Sequence, residues 1–323
     1  MSEAGDSKKI CTGKPKRICF VGACFTDLIS YVDRLPSKGE TLHCKKFCTG
    51  FGGKGANQAV QAAKLGADVM MISKVGDDAF GNDTLKNFST QGVDATHVSQ
   101  ASGVSSGVAP IAVDAEGNNS IIIAPGACNL FSPADVEAAR PAIKECSMLI
   151  CQLEVPLETN LAALRIARAE GLSTVLNTAP APPDGKLPDE IWSLCDIVCP
   201  NEPELHGLTG MPTSTDKEVA AAAQEVMRRG AKKVLVTLGE RGCALFEAEG
   251  ANAAGLFVPC PKVEAKDTTG AGDSYLGALA HYLVAGQPMA DAMAKANAVA
   301  AVSVTREGTQ KSFANAEELE SRL

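Results

Sequence analysis

From residue 17 onward, short apolar runs recur along the chain, with stretches of helical period between several of them. Ile18–Gly22, Val69–Ile72, Met148–Leu153, Thr174–Leu176, Ile197–Cys199 and Val234–Thr237 read as strands. Ahead of the last run, Val219, Ala222, Ala223, Val226 and Met227 fall at i, i+3, i+4, i+7 and i+8, one face of a helix, and Gly230 follows as its stop. Alternation of this kind predicts an α/β fold, a mostly parallel central sheet with helices on both faces. Residues 26–52 and about 96–124 break the rhythm with short segments lacking helical period. They predict a small β-sheet lid outside the main sheet, or alternatively extra edge strands of it. Pro180–Pro188 reads as a loop.

The 323 residues suit one large α/β domain with an appendage, here placed at 17–323. Residues 1–16 are polar and contain lysines but lack the apolar core of a signal peptide, which predicts a disordered tail. The net charge is 30 − 38 = −8 and the basic residues form no long run, so neither nucleic acid nor an anionic membrane is expected as a partner. No apolar stretch is long enough to span a bilayer. Twelve cysteines include no C-x-x-C pair, which leaves a zinc ribbon without ligands. Many lie inside strand-like runs, as Cys19 and Cys151 do, where a free thiol behaves as a small hydrophobe. A reducing, cytoplasmic setting is the natural expectation.

Two glycine-rich segments carry chemistry. Asp267-Thr268-Thr269-Gly270-Ala271-Gly272-Asp273 precedes Leu276, Leu279, Ala280 and Leu283 at helical spacing, so a helix starts near Asp273. Its first N–H groups lack intrahelical partners, its dipole is positive there, and Gly270 and Gly272 clear side chains from an approaching phosphate. A carboxylate beside such an anion site can take a proton from an attacking hydroxyl. Standing alone, Asp273 reads equally well as a helix cap.

The second segment, Gly50-Phe51-Gly52-Gly53-Lys54-Gly55-Ala56-Asn57-Gln58, contains G-x-G-x-x-G with Asp77 22 residues after Gly55, the spacing of a dinucleotide site. That would make the protein an NAD-dependent dehydrogenase. The fingerprint needs a buried apolar strand before its first glycine, however, and His43–Thr49 is mostly polar. Neither is it a Walker loop, because no Ser or Thr follows a Gly-Lys pair. Backbone N–H groups, Lys54 and Asn57 suit a small polyhydroxylated substrate.

Asn201-Glu202-Pro203-Glu204 and Thr237-Leu238-Gly239-Glu240-Arg241-Gly242 both follow strands, where open α/β sheets bind ligands. The first could organise Mg²⁺ through water, and the second could turn against a nucleotide. Each alone reads as an ordinary strand-to-helix loop. The four histidines have no local ligand or triad partners, and Trp192 reads as core.

Taken together, these segments resemble the ribokinase family of sugar kinases from about residue 17 to the C-terminus. Gly22–Asp27, Gly52–Ala59, Gln152-Leu153-Glu154, Asn201–Glu204, Thr237–Gly242 and Asp267–Asp273 match in order. The resemblance implies ATP-dependent phosphorylation of D-ribose at O5, with Asp273 as base and the amides of Gly270, Ala271, Gly272 and Asp273 as anion hole. Asp27, Gly53, Lys54, Asn57 and Glu154 would hold the sugar hydroxyls, with Phe25, Gly55 and Ala56 beside them. Asn201, Thr237–Gly242, Gly272, Asp273 and Asn297 would line the ATP site, and Glu204 with Asn201 would position Mg²⁺. Asp267, Thr269, Ser303, Arg306, Gly308 and Ser312 would hold an activating K⁺, mostly through backbone carbonyls. The lid strands would pair two subunits into a homodimer. One departure is Phe25, where bacterial ribokinases carry Asn, a side chain able to bond a sugar hydroxyl. A kinase for deoxyribose, fructose or a nucleoside, and a silent sugar- or nucleotide-binding regulator, are the remaining readings.

Overall fold

The structure is a computed structural model that describes residues 16–116, 118–247 and 255–320. The tail expected over 1–16 lies, apart from its last residue, outside the described residues. The elements run β1 (Arg17–Val21), β2 (Phe25–Tyr31), β3 (Lys46–Gly52), α1 (Lys54–Lys64), β4 (Asp68–Gly76), α2 (Ala79–Gln91), β5 (Val93–Ala101), β6 (Gly107–Val113) and β7 (Asn119–Ile121). They continue with α3 (Pro133–Ala138), α4 (Arg140–Lys144), β8 (Met148–Cys151), α5 (Leu157–Ala169), β9 (Ser173–Asn177), α6 (Asp189–Leu194), β10 (Ile197–Cys199), α7 (Glu202–Thr209) and α8 (Asp216–Arg228). The chain closes with β11 (Lys233–Thr237), β12 (Cys243–Glu247), β13 (Leu256–Val258), α9 (Ala271–Val284), α10 (Met289–Ser303) and α11 (Ala316–Glu320).

The main sheet has the order β13-β12-β11-β10-β9-β8-β1-β4-β5, with β12 alone running against the other strands. Its central strands are buried on both faces, and their alternation divides the core in two. Ile18, Phe20, Val69, Met71, Met148 and Ile150 point to the side of α1, α9 and α10. Cys19, Val21, Met70, Ile72, Leu149 and Cys151 point to the side of α5, α7 and α8. Trp192 is fully buried in that second core, as expected. All the cysteines among the described residues are free thiols, and most fill core positions.

The helix foreseen before Val234 is α8, whose Val219, Ala222, Ala223 and Val226 face the core. Thr215 and Glu218 close its N-terminus with a reciprocal capping box. A second sheet, β3-β2-β6-β7, is the expected lid. Its boundary needs one correction: residues 96–101 belong to β5, which pairs in parallel with β4 at the edge of the main sheet. Edge exposure on one side gives β5 its mixed composition, which hides it among the lid segments. Among the described residues, no helix is long and apolar enough to cross a membrane.

Candidate active site

The site forms where strand ends converge. The C-terminal ends of β1, β8, β9, β10 and β11 lead into Gly22, Gln152, Thr178, Asn201 and Leu238, all on the side where parallel sheets open to ligands. Two close approaches bring the glycine segments onto these ends. Gly53 has φ +86°, and a Cβ there would lie 2.6 Å from the carbonyl oxygen of Ala23, so only glycine turns the chain from β3 into α1 at this depth. A Cβ on Gly277 would lie 2.4 Å from the backbone oxygen of Gln58, which makes α9 and α1 touch along their backbones. The N-terminal turn of α9 therefore arrives beside that of α1.

Asp273 occupies this junction and is 7% exposed. The capping alternative does not describe it. The N-cap of α9 is Gly270, without any side-chain cap, and the Asp273 carboxylate instead accepts from Asn57 Nδ2 and Gln58 Nε2, each at 2.9 Å. Ahead of it, the Ala271 N–H donates to Thr268 O at 3.2 Å and the Ser274 N–H to Gly270 O at 2.8 Å. The N–H of Ala271 is thus already directed into the turn, which leaves those of Gly270, Gly272 and Asp273 for the expected anion hole. A Cβ added to Gly272 would meet nothing within 4 Å, so open space lies directly over these amides.

A cavity of about 150 Å³ covers this turn, lined by Lys54, Asn177, Ala179, Cys199, Asn201, Glu204, Thr237, Thr268, Gly270–Asp273 and Leu276. It joins eight of the expected positions from four separate segments: Lys54, Asn201, Glu204, Thr237, Gly270, Ala271, Gly272 and Asp273. Asn177, Ala179, Cys199, Thr268 and Leu276 lie outside the expected set. Asn177 ends β9 and carries its own signal, a polar residue closing an apolar run.

Charge explains the environment of the groups expected to face the sugar. Burial, with Asp273 nearby, pushes Asp27 up to about 7. Burial likewise raises Glu154 to about 7, against the pull of Lys54 and a hydrogen bond of 2.7 Å from the Lys54 N–H. Burial works to lower Lys54, but Asp273, Glu154 and Glu204 outweigh it and hold the ammonium above its ordinary value. Gly52 makes the room for Asp27, since a Cβ there would come within 2.4 Å of the carboxylate. Phe25 stands apart. It is buried with its ring over Gly107, within the apolar cluster beneath the lid, and has no polar contact.

Asn57 differs from expectation in its engagement. Besides the bond to Asp273, its Oδ1 accepts from Gln310 Nε2 at 3.0 Å, so both of its polar atoms already serve the protein. Asn201 caps α7, accepting from Glu204 N at 2.8 Å, while Glu204 Oε2 accepts from Asn201 N at 3.1 Å and from the Thr178 hydroxyl at 3.3 Å. Its other carboxylate oxygen makes neither bond. Among the described residues no cluster of three or more His, Cys, Asp or Glu could cage a metal. One partly free carboxylate at a phosphate cradle fits Mg²⁺, which keeps most of its water shell and takes phosphate oxygens.

The turn expected to face the nucleotide, Thr237–Gly242, is built tightly. Gly239–Arg241 is a short 3₁₀ turn, and Arg241 is drawn away to Glu202, at 2.6 Å, and Asp216. Asn297 donates to the carbonyls of Val258 and Pro259 at 3.0 and 3.2 Å, bracing the chain after β13. Neither Leu238–Gly242 nor Asn297 lines the cavity itself.

The proposed cation positions form a separate knot beside α9. Asp267 accepts from Thr269 N at 2.9 Å and Gly308 N at 2.7 Å, and these donors overcome burial to hold its carboxyl below the usual range. The Ser303 and Ser312 hydroxyls donate to Ala300 O and Thr309 O, and Arg306 pairs with Glu318.

The G-x-G-x-x-G alternative fails on context. The strand before it, β3, is an exposed lid strand and not a buried strand of the parallel sheet.

A family profile described as pfkB family carbohydrate kinase matches residues 15–316. The chain is 42% identical over 306 residues to a deoxyribokinase of Salmonella typhi, covering 95% of this chain and 98% of that one. It is 41% identical over 298 residues to a ribokinase of Mus musculus, covering 92% and 91%. Among solved structures, Arabidopsis thaliana ribokinase complexed with ribose and ATP superposes with a TM-score of 0.87 at 30% identity, covering 96% of this chain and 98% of that one. The strand-end site, its glycine cradle and these relationships agree, and the chain belongs to the pfkB family of carbohydrate kinases, as an ATP-dependent sugar kinase of the ribokinase type.

Proposed function

We propose that the protein transfers the γ-phosphoryl group of MgATP to O5 of D-ribose, giving ribose 5-phosphate and ADP. Asp273 takes the O5 proton as O5 bonds to phosphorus and the bond to the β-phosphate oxygen breaks, releasing ADP. The observation that carries the reading is the buried Asp273 carboxylate beside the undirected amides of Gly270, Gly272 and Asp273. Positioning and electrostatics supply most of the catalysis in such a transfer.

Asp27, Glu154, Gly53 and Lys54 hold the sugar hydroxyls, with Asn57, Gly55 and Ala56 shaping the wall between them and the base. Asn201, Thr237–Gly242 and Asn297 frame the nucleotide. Glu204, with Asn201, organises Mg²⁺ through water, and the ion neutralises phosphate charge. A K⁺ ion lodges among the carbonyls near Asp267, Thr269, Ser303, Arg306, Gly308 and Ser312 and stiffens the turn leading to Gly270. The lid closes over the sugar, excludes water, and pairs with a second lid in a homodimer. The protein works in the cytoplasm.

A second reading, 2-deoxyribose as substrate, draws support from Phe25 and from the Salmonella deoxyribokinase. An apolar ring on the strand that carries Asp27 offers no bond to a hydroxyl, so loss of one hydroxyl costs nothing there. An ADP-coupled assay across ribose, deoxyribose, fructose and adenosine separates these readings, and the absence of any sugar-dependent turnover would leave the silent regulator. Equal rates in K⁺ and in a large organic cation would remove the monovalent ion from the account.

A further inference from the structure

Asp273 receives its side-chain hydrogen bonds from amides alone: Oδ2 accepts from Asn57 and Oδ1 from Gln58, each at 2.9 Å. A side-chain amide carries a donor end and an acceptor end of nearly the same shape, and half a turn exchanges them. A carboxylate only accepts, so each amide supports it in one orientation and repels it in the other. The next amides outward fix that orientation. Gln310 Nε2 donates to Asn57 Oδ1 at 3.0 Å, and Asn87 Nδ2 donates to Gln310 Oε1 at 2.9 Å. On the other arm, Gln152 Nε2 donates to Gln58 Oε1 at 2.8 Å.

Along both arms each NH₂ bonds toward the base and each bonded oxygen points away, and Gln58 Nε2 also donates sideways to Asn177 Oδ1 at 3.1 Å. Asn57, Gln58, Gln152 and Gln310 are 4%, 0%, 0% and 6% exposed, so water cannot easily replace a lost donor. The backbone of Gln310 is itself pinned, with Lys64 Nζ donating to its carbonyl at 2.7 Å.

We propose that Gln310 and Gln152, neither of which bonds Asp273, are positioning residues that hold its carboxylate in the attacking geometry through this one-way relay. The inference rests on Asp273 being the base. Asn57 and Gln58 act as couplers, and the polarity of the whole relay matters more than its packing.

Polarity can be reversed with little change of shape. In Gln310→Glu a carboxylate replaces the donor, so Asn57 must turn its NH₂ outward and present oxygen to Asp273. Gln310→Met removes both polar ends without reversing anything. We expect kcat to fall about 30-fold in Gln310→Glu and about fivefold in Gln310→Met, with KM for sugar and ATP within about threefold of wild type. A purely structural role predicts losses that follow the melting temperature and no special defect in Gln310→Glu. Wild-type kcat in Gln310→Glu, or equal loss in both variants, overturns the proposal. Should either variant fail to fold, Asn87→Leu, at a half-buried position on α2, removes the outermost donor. It should lower kcat about twofold to threefold at unchanged KM, and an unchanged kcat overturns the relay. Asp273→Asn run in parallel separates the two readings. Activity retained there overturns the base assignment, whereas loss there with an intact Gln310→Glu overturns the relay alone.

Discussion

At the scale of single residues, the site depends on carboxylates placed in three different surroundings. Asp273 meets two amide donors, and its replacement by Asn keeps the shape while removing the basic group. We expect Asp273→Asn to lower kcat by about 10²–10⁴-fold with little change in ATP affinity, measured by turnover and by nucleotide titration. Asp27 and Glu154 have no such donors to each oxygen, and burial brings both up to about 7. Their folded values exceed the unfolded ones, so they contribute stability that is full below about pH 4 and is lost as pH rises through about 7. The sugar-free protein should therefore lose melting temperature between pH 5 and 8 through these two groups, and saturating sugar should flatten that slope by donating hydroxyls to the ionised forms. Sugar affinity should weaken as pH falls from 8 to 6, whereas ATP affinity should not follow the same curve. Calorimetry at several pH values reads both effects, and a sugar affinity that rises on acidification would contradict them.

The same scale separates the residues that a local pattern marks from those that it does not. Asp273, Lys54, Asn201 and Glu204 were legible because each sits in a glycine-rich or capping pattern at a strand end. Gln310, Gln152 and Asn177 were not legible as parts of the site. Gln310 reaches Asn57 across 253 positions and Gln58 reaches Asp273 across 215, and no local period records such pairings. Buried polar residues in an otherwise apolar helix were the available signal, since Asn57, Gln58 and Gln61 all lie in α1 with no exposure to justify them.

At the scale of elements, glycine does two opposite jobs on α9. Gly277 is where α9 rests on α1, and a methyl group there would overlap the Gln58 carbonyl at 2.4 Å. Gly277→Ala should cost about 1–3 kcal/mol and lower the melting temperature. Gly272 faces open space, so Gly272→Ala should leave the melting temperature unchanged or raised while its methyl group occupies the phosphate position. Its signature is a raised KM for ATP and a reduced kcat in a protein of full stability. Thermal denaturation alongside kinetics distinguishes the two, and a destabilised but fully active Gly272→Ala would contradict this account. The strands of the main sheet were readable because burial on both faces makes them continuous apolar runs. Residues 96–101 of β5 read as lid because an edge strand has solvent on one side.

At the scale of the whole molecule, the lid exposes Phe47, Ile121, Ile122 and Ile123 on a four-stranded sheet that hangs off the main domain. Such a patch on an open sheet calls for cover, which the proposed pairing with a second lid would provide. Ile122→Asp, which adds a charge at the most exposed of these positions, should shift the protein from dimer to monomer in sedimentation and raise KM for the sugar. An unchanged dimer would place the interface elsewhere. The two-sheet plan, the direction of the site and the family were all visible in the order of the strands and glycine segments. The sugar was not, because ribose and deoxyribose differ by one hydroxyl and Phe25 offers no polar atom to count it.

The central claim concerns catalysis on a particular sugar, so the most direct measurement is ADP release by the purified protein with MgATP and ribose, deoxyribose, fructose or adenosine in turn. The account predicts turnover that requires an added sugar and a kcat/KM for ribose above that for each of the others. ADP release that is independent of sugar, or a kcat/KM for deoxyribose above that for ribose, would contradict it.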